Sequence, residues 1–345
     1  MKGLLKHISP LAPDDSGACS VLYELGGIVV ICDAGGCAGN VCGFDEPRWH
    51  EKRSALFSAG LRDMDAILGR DDRLIEKLVK VTEQLPDEYR RFTAIVGTPV
   101  PAVIATDFHA LERMAERKTH VPCLALPTDG TRAYDFGEEM AYFELFKRFT
   151  EEHEVVPGRI GIIGATPLDT GCTRAAQVTA GLDHTNEYIC FGMDSDIEDI
   201  RAASSCESML VISPAGIKAA EFMQKKFGTP YKAGFPCLPR ETAAAAEGLS
   251  GKKVLIINQQ FAANALREKI SGCETDCATW FMQDKTYARE CDFRITEEEV
   301  LTGRIAERGY DVIIADNDLK RAVKNFAGEF IDFPHYAVSA RLNSE

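Results

Sequence analysis

Short apolar runs alternate with amphipathic segments along the chain. Strands of a parallel sheet are buried on both faces and read as continuous apolar runs, whereas a helix repeats its apolar face every 3.6 residues. The alternation predicts an α/β fold with mostly parallel sheets. The expected strands are Gly27–Cys32, Phe92–Val96, Cys123–Leu126, Ile160–Ile163, Tyr188–Phe191, Ser208–Ile212, Lys253–Ile257 and Val312–Ala315.

Three helices are well marked between these runs. The first begins at Asp71, repeats leucine and valine on one face, and is stopped by Pro86. The second begins near Glu138 and places three aromatic residues on one face. The third spans Ala219–Phe227 and is followed by Gly228, a residue typical of helix C-termini.

Two breaks in the pattern predict domain boundaries. The segments 151–158 and 248–252 each precede a fresh apolar run, and 345 residues suit two or three domains. We therefore expect three α/β domains, over residues 1–150, 151–248 and 249–345, the last with a C-terminal return segment.

Charge and hydropathy narrow the possible partners. The chain has 39 basic and 53 acidic residues, a net charge of −14, and no basic cluster of the kind that binds nucleic acid. No apolar run approaches the roughly 18 residues of a membrane helix, and the N-terminus lacks the pattern of a signal peptide. We expect a cytoplasmic protein that binds neither membranes nor nucleic acid.

Several familiar catalytic motifs are absent from the sequence. There is no phosphate-binding G-x-x-x-x-G-K-[ST] loop, so the chain should not hydrolyse ATP itself. Gly161–Ala165 follows a strand but does not match the dinucleotide pattern, and neither a G-x-S-x-G elbow nor a zinc-type C-x-x-C pair occurs.

The twelve cysteines are the unusual feature of the composition, and two of them stand in an informative stretch. Cys19 begins a helical pattern, and Cys37 lies in the glycine-rich turn 35–40 that follows a strand ending at Cys32. Glycines let the backbone approach an iron–sulfur cluster and donate N–H groups to its sulfur atoms. The residues alone leave two readings open, a cluster ligand or a buried thiol in a tight turn.

Six short motifs form one pattern along the chain: Cys19, Gly36-Cys37, Asp63–Gly69, Pro99–Asp107, Phe227–Pro230 and Phe333-Pro334. Together they resemble the nitrogenase component 1 family. That family includes the dinitrogenase subunits, their cofactor scaffolds, dark-operative protochlorophyllide reductase and the nickel-sirohydrochlorin reductive cyclase. The resemblance identifies the chain as a short, divergent member and implies three Rossmann-like domains around a central cleft.

The resemblance also implies a cofactor. The family's bridging cluster lies at a subunit interface, where three cysteines hold it. Cys19 and Cys37 match two of these metal-binding positions, with Gly36 in the cofactor-binding turn, but the third position falls on Pro99 beside Thr98. The first domain would then be the cluster-binding and dimerisation domain.

Three outcomes are open for the missing ligand. In a twofold-symmetric homodimer, Cys19 and Cys37 of each copy would supply four thiolates to one shared [4Fe–4S] cluster. Alternatively, Cys42 replaces the missing ligand, or the cluster has been lost. A heterodimer with a homologous subunit would also supply the missing ligands.

The function implied by the resemblance is electron transfer to a small substrate held in the interdomain cleft. Electrons would come from a separate P-loop iron protein that hydrolyses ATP. The alternatives are a non-catalytic scaffold or carrier for a metal cluster or tetrapyrrole, and a cluster-free α/β binding protein. The sequence assigns no catalytic residue and does not name the substrate.

Other residues are secondary candidates. The family's second cysteine, which binds an active-site cofactor, corresponds to a position near Ser213, so that type of cofactor is not expected. His335 could face the cleft or lie in the core. Cys172 and Cys237 follow strands, where α/β sheets bind ligands, but either could be structural.

Overall fold

The computed structural model describes residues 5–69 and 71–343. It confirms an α/β fold, with three sheets whose strands pair in parallel throughout. The first sheet has the order β2-β1-β3-β4, the second β6-β5-β7-β8, and the third β11-β10-β9-β12-β13. In chain order the strands are β1 Ile28–Ile31, β2 Leu56–Ser58, β3 Thr93–Val96, β4 Cys123–Leu126, β5 Val156–Ile163, β6 Glu187–Cys190, β7 Cys206–Val211, β8 Tyr231–Ala233, β9 Lys253–Ile257, β10 Glu274–Thr279, β11 Phe293–Arg294, β12 Val312–Ala315 and β13 Glu329–Asp332.

Helices connect the strands and cover the sheets. The longest is α7, which follows the first sheet and leads into the second. The α-helices are α1 Asp14–Leu22, α2 Gly36–Asn40, α3 Asp63–Leu68, α4 Asp71–Gln84, α5 Pro99–Val103, α6 Phe108–Thr119, α7 Tyr134–Phe149, α8 Pro167–Thr170, α9 Ala175–Thr179, α10 Ile197–Arg201, α11 Ile217–Phe227, α12 Arg240–Ala246, α13 Gln260–Lys269, α14 Glu298–Arg308 and α15 Tyr336–Ser339. None of the helices in the described ranges is both long and apolar enough to cross a membrane.

One apolar core joins the first two sheets. Helix α7 supplies Tyr142 and Phe146, which are fully buried together with residues of both sheets, such as Val29 and Met209. The rings of Phe146 and Phe191 meet edge to face at 5.0 Å between centroids. Burial of this aromatic face explains why the helix is placed between the sheets.

The third sheet has its own apolar core, to which residues of α7 and α8 also contribute. Tyr134 of α7 and Leu168 of α8 belong to the same buried cluster as Leu255 and Ile313 of the third sheet. The start of α7 therefore lies where the three sheets meet.

All eight predicted strands are present, three with the predicted bounds and the others within four residues at each end, but five other strands were missed. The missed strands are β2, β8, β10, β11 and β13, which are short, polar or at the edges of sheets. The helical segment expected from Glu138 begins four residues earlier, at Tyr134. Cys273 directly precedes β10, and Cys277 lies within this strand, which pairs with β9.

Candidate functional site

The glycine-rich turn lies at the carboxyl end of β1. Gly35, at φ 112°, takes a left-handed conformation that glycine tolerates, and α2 begins at the next residue. The carboxylate of Asp33 fixes the turn by accepting a hydrogen bond from the Ala38 N–H at 2.9 Å and one from the Ser58 hydroxyl at 2.6 Å.

Cys37 is half-buried in this turn and contacts Thr98, the neighbour of the predicted third ligand position. Its thiol hydrogen-bonds with the side chain of Thr98, which is fully buried. The Thr98 hydroxyl donates to the carbonyl of Cys32 at 2.8 Å. The fold thus brings Cys37 beside Thr98 and Pro99, but no third thiol stands there.

The surface above the turn is open. A Cβ atom added at Gly35, Gly36, Gly39 or Gly43 would meet no heavy atom within 4 Å. The backbone is therefore accessible to a partner or a bound group on this side of the molecule.

Cys19 lies beneath the turn rather than on its surface. The sequence pattern placed it at the start of a helix, but α1 begins five residues earlier and buries Cys19 completely in the main core. Burial raises its pKa far above the usual value, and the charges of Asp15 and Cys42 raise it further. Cys42 is half-buried at the end of the turn. Among the cysteines, it has the largest effect on the pKa of Cys19.

Acidic side chains surround the cysteines. Asp14 and Asp15 are each 2% exposed, and burial together with the charge of Asp14 raises the pKa of Asp15 to about 7. One oxygen of Asp15 has no hydrogen-bond partner. Burial and the charges of Asp15 and Asp33 also raise the pKa of Cys37, so its thiol is the dominant form at neutral pH unless a cation or metal binds.

Arg48 anchors the segment that follows the turn. Its guanidinium is buried and makes two hydrogen bonds of 2.7 Å to the Glu46 carboxylate. It also donates to the carbonyls of Ser20 at 2.7 Å and Gly192 at 2.6 Å. This network ties the turn to α1 and to the second sheet, so the base of the turn is rigid.

Exposed apolar side chains follow three of the four strands whose carboxyl ends form this edge of the first sheet. We call this set the apolar rim. It consists of one residue after β1, three in the helix after β2 and three around the helix after β3: Phe44, Met64, Ile67, Leu68, Val100, Val103 and Ile104. Val103 is 85% exposed and Ile67 is 74% exposed, which is unusual for residues of this type grouped on one edge.

A second polar cluster lies where the three sheets meet. The Tyr134 hydroxyl donates to Asp169 at 2.7 Å and lies 3.0 Å from Nε2 of His335. Glu138 hydrogen-bonds with Asp169 and accepts from the Thr166 hydroxyl. We call these five residues the junction cluster; all of them are buried.

Ser213 and His335, two positions that the sequence analysis singled out, both lie at the junction cluster. Ser213 hydrogen-bonds with Asp169, so the position corresponding to the family's cofactor-binding cysteine faces the cluster. His335 is 3% exposed, and burial lowers its pKa to about 4, so it is neutral at physiological pH. Sequence reasoning missed Tyr134, Glu138 and Asp169, whose only signal was acidic residues inside an otherwise apolar pattern.

The other cysteines named here lie outside the glycine turn, in the second and third sheets. Cys172 and Cys237 contact each other at the carboxyl end of the second sheet. The Cys273 thiol donates to the carbonyl of Leu249 at 2.7 Å. Cys277 is buried in an apolar cluster of the third sheet, together with Leu249, Val254 and Ile314.

The described residues do not form a complete cluster site within one chain. Over residues 5–69 and 71–343, no group of three or more histidine, cysteine or acidic residues is placed to hold a metal ion. The open glycine turn leaves room for a bound group beside Cys37. A second chain would have to supply the remaining ligands.

Comparisons with known proteins agree with this architecture. The model of the family "Nitrogenase component 1 type Oxidoreductase" matches residues 16–269. The solved structure "Nitrogenase Cp1 at pH 6.5" superposes with a TM-score of 0.70 at 12% identity, over 96% of this chain and 87% of that chain. "Nitrogenase Cp1 at pH 5" superposes with a TM-score of 0.69 at 12% identity, over 99% of this chain and 86% of that one. No curated protein sequence matches the chain.

Proposed function

Because the chain belongs to the nitrogenase component 1 type oxidoreductases, we propose that it transfers electrons through an iron–sulfur cluster held between two copies of itself. The observation that carries the proposal is the open glycine turn. It places Cys37 at a surface edge that is bordered by the apolar rim. An exposed apolar group of this kind is typical of an interface.

Cys37 and Cys19 are the proposed ligands from each copy, giving four thiolates for one [4Fe–4S] cluster. When bound, the cluster supplies one-electron transfer. The N–H groups of the turn would donate hydrogen bonds to its sulfur atoms, and the rim of the two copies would exclude water. Cys42 is the alternative ligand because it lies nearer the surface than Cys19 and acts electrostatically on it.

The acids around the turn affect how the thiols ionise. Asp15 and Asp33 disfavour a free thiolate at Cys37, so metal binding must displace the thiol proton. Cluster binding should therefore weaken as the pH falls. Burial raises the pKa of Asp15 to about 7, so this carboxyl is only partly ionised beside the turn at neutral pH.

The partners of the proposed function are a second copy and a separate reductase. The sequence has no phosphate-binding loop, so an ATP-hydrolysing iron protein would deliver the electrons. A small-molecule substrate and a cytoplasmic location remain predictions. A carrier that holds the cluster without turnover would use the same ligands, and turnover with an iron protein and ATP separates the two functions.

The experiment is a measurement of iron and acid-labile sulfide on anaerobically purified and reconstituted protein. Wild type is compared with Cys37→Ala and with Cys291→Ala, a control in which a half-buried cysteine of the third sheet region is removed. We expect about two irons per chain in wild type and in the control, and loss of nearly all iron in Cys37→Ala.

Other outcomes have defined meanings. About four irons per chain would show that each copy holds a complete cluster, and Cys42 would then be assigned as an additional ligand. Absence of iron after reconstitution, or equal iron in Cys37→Ala, would overturn the electron-transfer proposal and favour a cluster-free binding protein.

A further inference from the structure

Two cysteines from distant parts of the sequence meet at the carboxyl end of the second sheet. Cys172 follows α8, which comes after β5, and Cys237 lies in the connection between β8 and α12. Their thiols hydrogen-bond to each other, and both pack in the same small apolar cluster, which also contains Cys190. This pair is separate from the glycine turn and from the junction cluster.

The two thiols have different surroundings. Cys172 interacts with Cys237, with Thr170 and with the side chain of Asn343, and these hydrogen bonds lower its pKa despite its burial. The backbone N–H and side-chain amide of Asn343 also hold the loop, by donating to the carbonyls of Gly171 at 2.9 Å and Thr170 at 2.6 Å. Cys237 has a pKa well above the usual value, because of Cys172 and burial.

Two free thiols that pack together and hydrogen-bond have the arrangement of a nucleophile with a neighbouring resolving thiol. Cys172 is the better placed nucleophile, because Thr170 and Asn343 also hydrogen-bond with its thiol and such bonds favour a thiolate. Burial instead raises the pKa of Cys190, to about 12, so that neighbour is an inert thiol.

A metal site is a poorer interpretation of the same pair. Structural metal sites use four ligands in most cases, and no group of three suitable side chains occurs in the part of the chain that is described. Two thiols in contact are instead the geometry from which a disulfide forms.

We propose that Cys172 and Cys237 form a reversible dithiol–disulfide site that hydrogen peroxide oxidises. The Cys172 thiolate attacks one peroxide oxygen and the O–O bond breaks, which gives a sulfenic acid and, with one proton, water. The Cys237 sulfur then attacks the Cys172 sulfur, the S–O bond breaks, and the hydroxyl leaves as water with the Cys237 proton. Two thiols and one peroxide thus become one disulfide and two waters.

The position of the pair determines what the disulfide would do. The connection around Cys237 joins the second sheet to α12, which packs on the third sheet through a hydrogen bond from Thr242 to the Asp332 carbonyl at 2.8 Å. Phe235, in the same connection, packs against three apolar clusters. A disulfide would fix this connection to the loop after β5 and so restrict movement between the second and third sheets.

The burial of the two thiols favours a small oxidant over a large one. Cys172 is 4% exposed and Cys237 is half-buried, so a small peroxide can reach the pair more easily than glutathione disulfide. We expect peroxide to react faster than glutathione disulfide at equal concentration.

The test is peroxide titration of the full-length protein, purified anaerobically, followed by alkylation of free thiols and peptide mass spectrometry. We expect a linked peptide pair containing Cys172 and Cys237, a mass loss of about 2 Da, and full reversal by dithiothreitol. Cys206→Ser, which changes a buried cysteine elsewhere in the second sheet, should leave the linkage unchanged, provided that its circular dichroism matches wild type.

Two variants make the chemistry falsifiable. Cys237→Ser should stop at a sulfenic acid on Cys172 that dimedone traps, and Cys172→Ser should give neither product. A peroxide-treated wild type with both thiols still free, or with Cys172 linked to another cysteine, would overturn the proposal. Since this readout needs no iron, its failure is distinct from failure of the proposed electron-transfer function.

Discussion

The glycine turn and the junction cluster are both rich in acidic residues, but they are built in opposite ways. The turn is open, with four glycines that face no neighbour and an exposed apolar rim around Cys37. The junction cluster is closed, and each of its acids has a hydrogen-bond donor within the protein.

The difference indicates where a bound group has room. At the junction, Tyr134 and His335 occupy the space where the three sheets meet, and their hydrogen bonds are made within the chain. At the turn, the polar groups are anchored from below and the upper side is free. An open surface on one side and a closed interior on the other are what a chain needs in order to pair with a second copy while keeping its own domains together.

The largest effect should come from breaking the anchor of the turn. Arg48→Ala leaves Glu46 buried without its bidentate partner and removes two contacts to carbonyls. We expect a loss of about 3–5 kcal/mol in the free energy of unfolding, measured by urea denaturation. Arg174→Ala, which removes a half-exposed arginine, should cost less than about 1 kcal/mol. Equal losses in the two variants would show that the turn has no rigid base.

The junction cluster makes a contrasting prediction. Glu138→Ala removes the partner of Asp169 and of the Thr166 hydroxyl, and we expect a loss of about 3 kcal/mol. Glu138→Gln can donate to Asp169 and accept from Thr166, as a protonated carboxyl does, so it should fold with nearly wild-type stability at neutral pH. A large loss in Glu138→Gln would mean that Glu138 is ionised.

The pH dependence follows from the same group. Burial and the charge of Asp169 raise the pKa of folded Glu138 well above its usual 4.5. Above pH 4.5 the unfolded state therefore binds fewer protons at Glu138 than the folded state does. The stability that protonated Glu138 contributes is fully present below pH 4.5 and declines as the pH rises towards the pKa of the folded state. Glu138→Gln should lack this decline. Denaturant midpoints from pH 4 to 9 measure it, and identical slopes in wild type and variant would contradict the assignment.

The apolar rim should affect association more than folding. Val103→Asp places a charge on a side chain that is 85% exposed, so the monomer should lose less than about 0.5 kcal/mol. We expect at least about a tenfold weaker dimer, equivalent to about 1.4 kcal/mol, in sedimentation equilibrium. Val155→Asp, which changes a valine that is 57% exposed outside the rim, is the matched control. Equal effects would place the interface elsewhere.

Substitution in the turn itself should also have only a small effect on stability. Gly36→Ala adds a methyl group to open space, so the free energy of unfolding should change by less than about 1 kcal/mol while iron content falls. Gly35→Ala should be worse for folding because its φ of 112° is strained for alanine. Normal iron content in Gly36→Ala would show that the turn does not face the cluster.

The sequence predicted the fold well because its signals are local. Continuous apolar runs mark β1, β3, β9 and β12, which are central strands buried on both faces. Edge strands such as β8 and β13 are short and mostly only partly buried, so their sequences are hard to distinguish from a loop.

The candidate site was predictable only in part. The glycine pattern around Cys37 identified an open turn, because glycines report local backbone geometry. The burial of Cys19 and the contact between Cys37 and Thr98 depend on how α1 and β3 pack, which no local pattern encodes. The same is true of Asp169 and His335, which are far apart in the sequence and meet only in the folded chain.

The central claim is that two copies share one cluster, and anaerobic sedimentation velocity detected at both 280 nm and the iron–sulfur absorbance near 400 nm tests it most directly. The account predicts that the cluster absorbance sediments only with a dimer of the 37.9 kDa chain, and that dilution to monomers releases the iron. Cluster absorbance that sediments with the monomer, or a dimer that stays colourless after reconstitution, would contradict it.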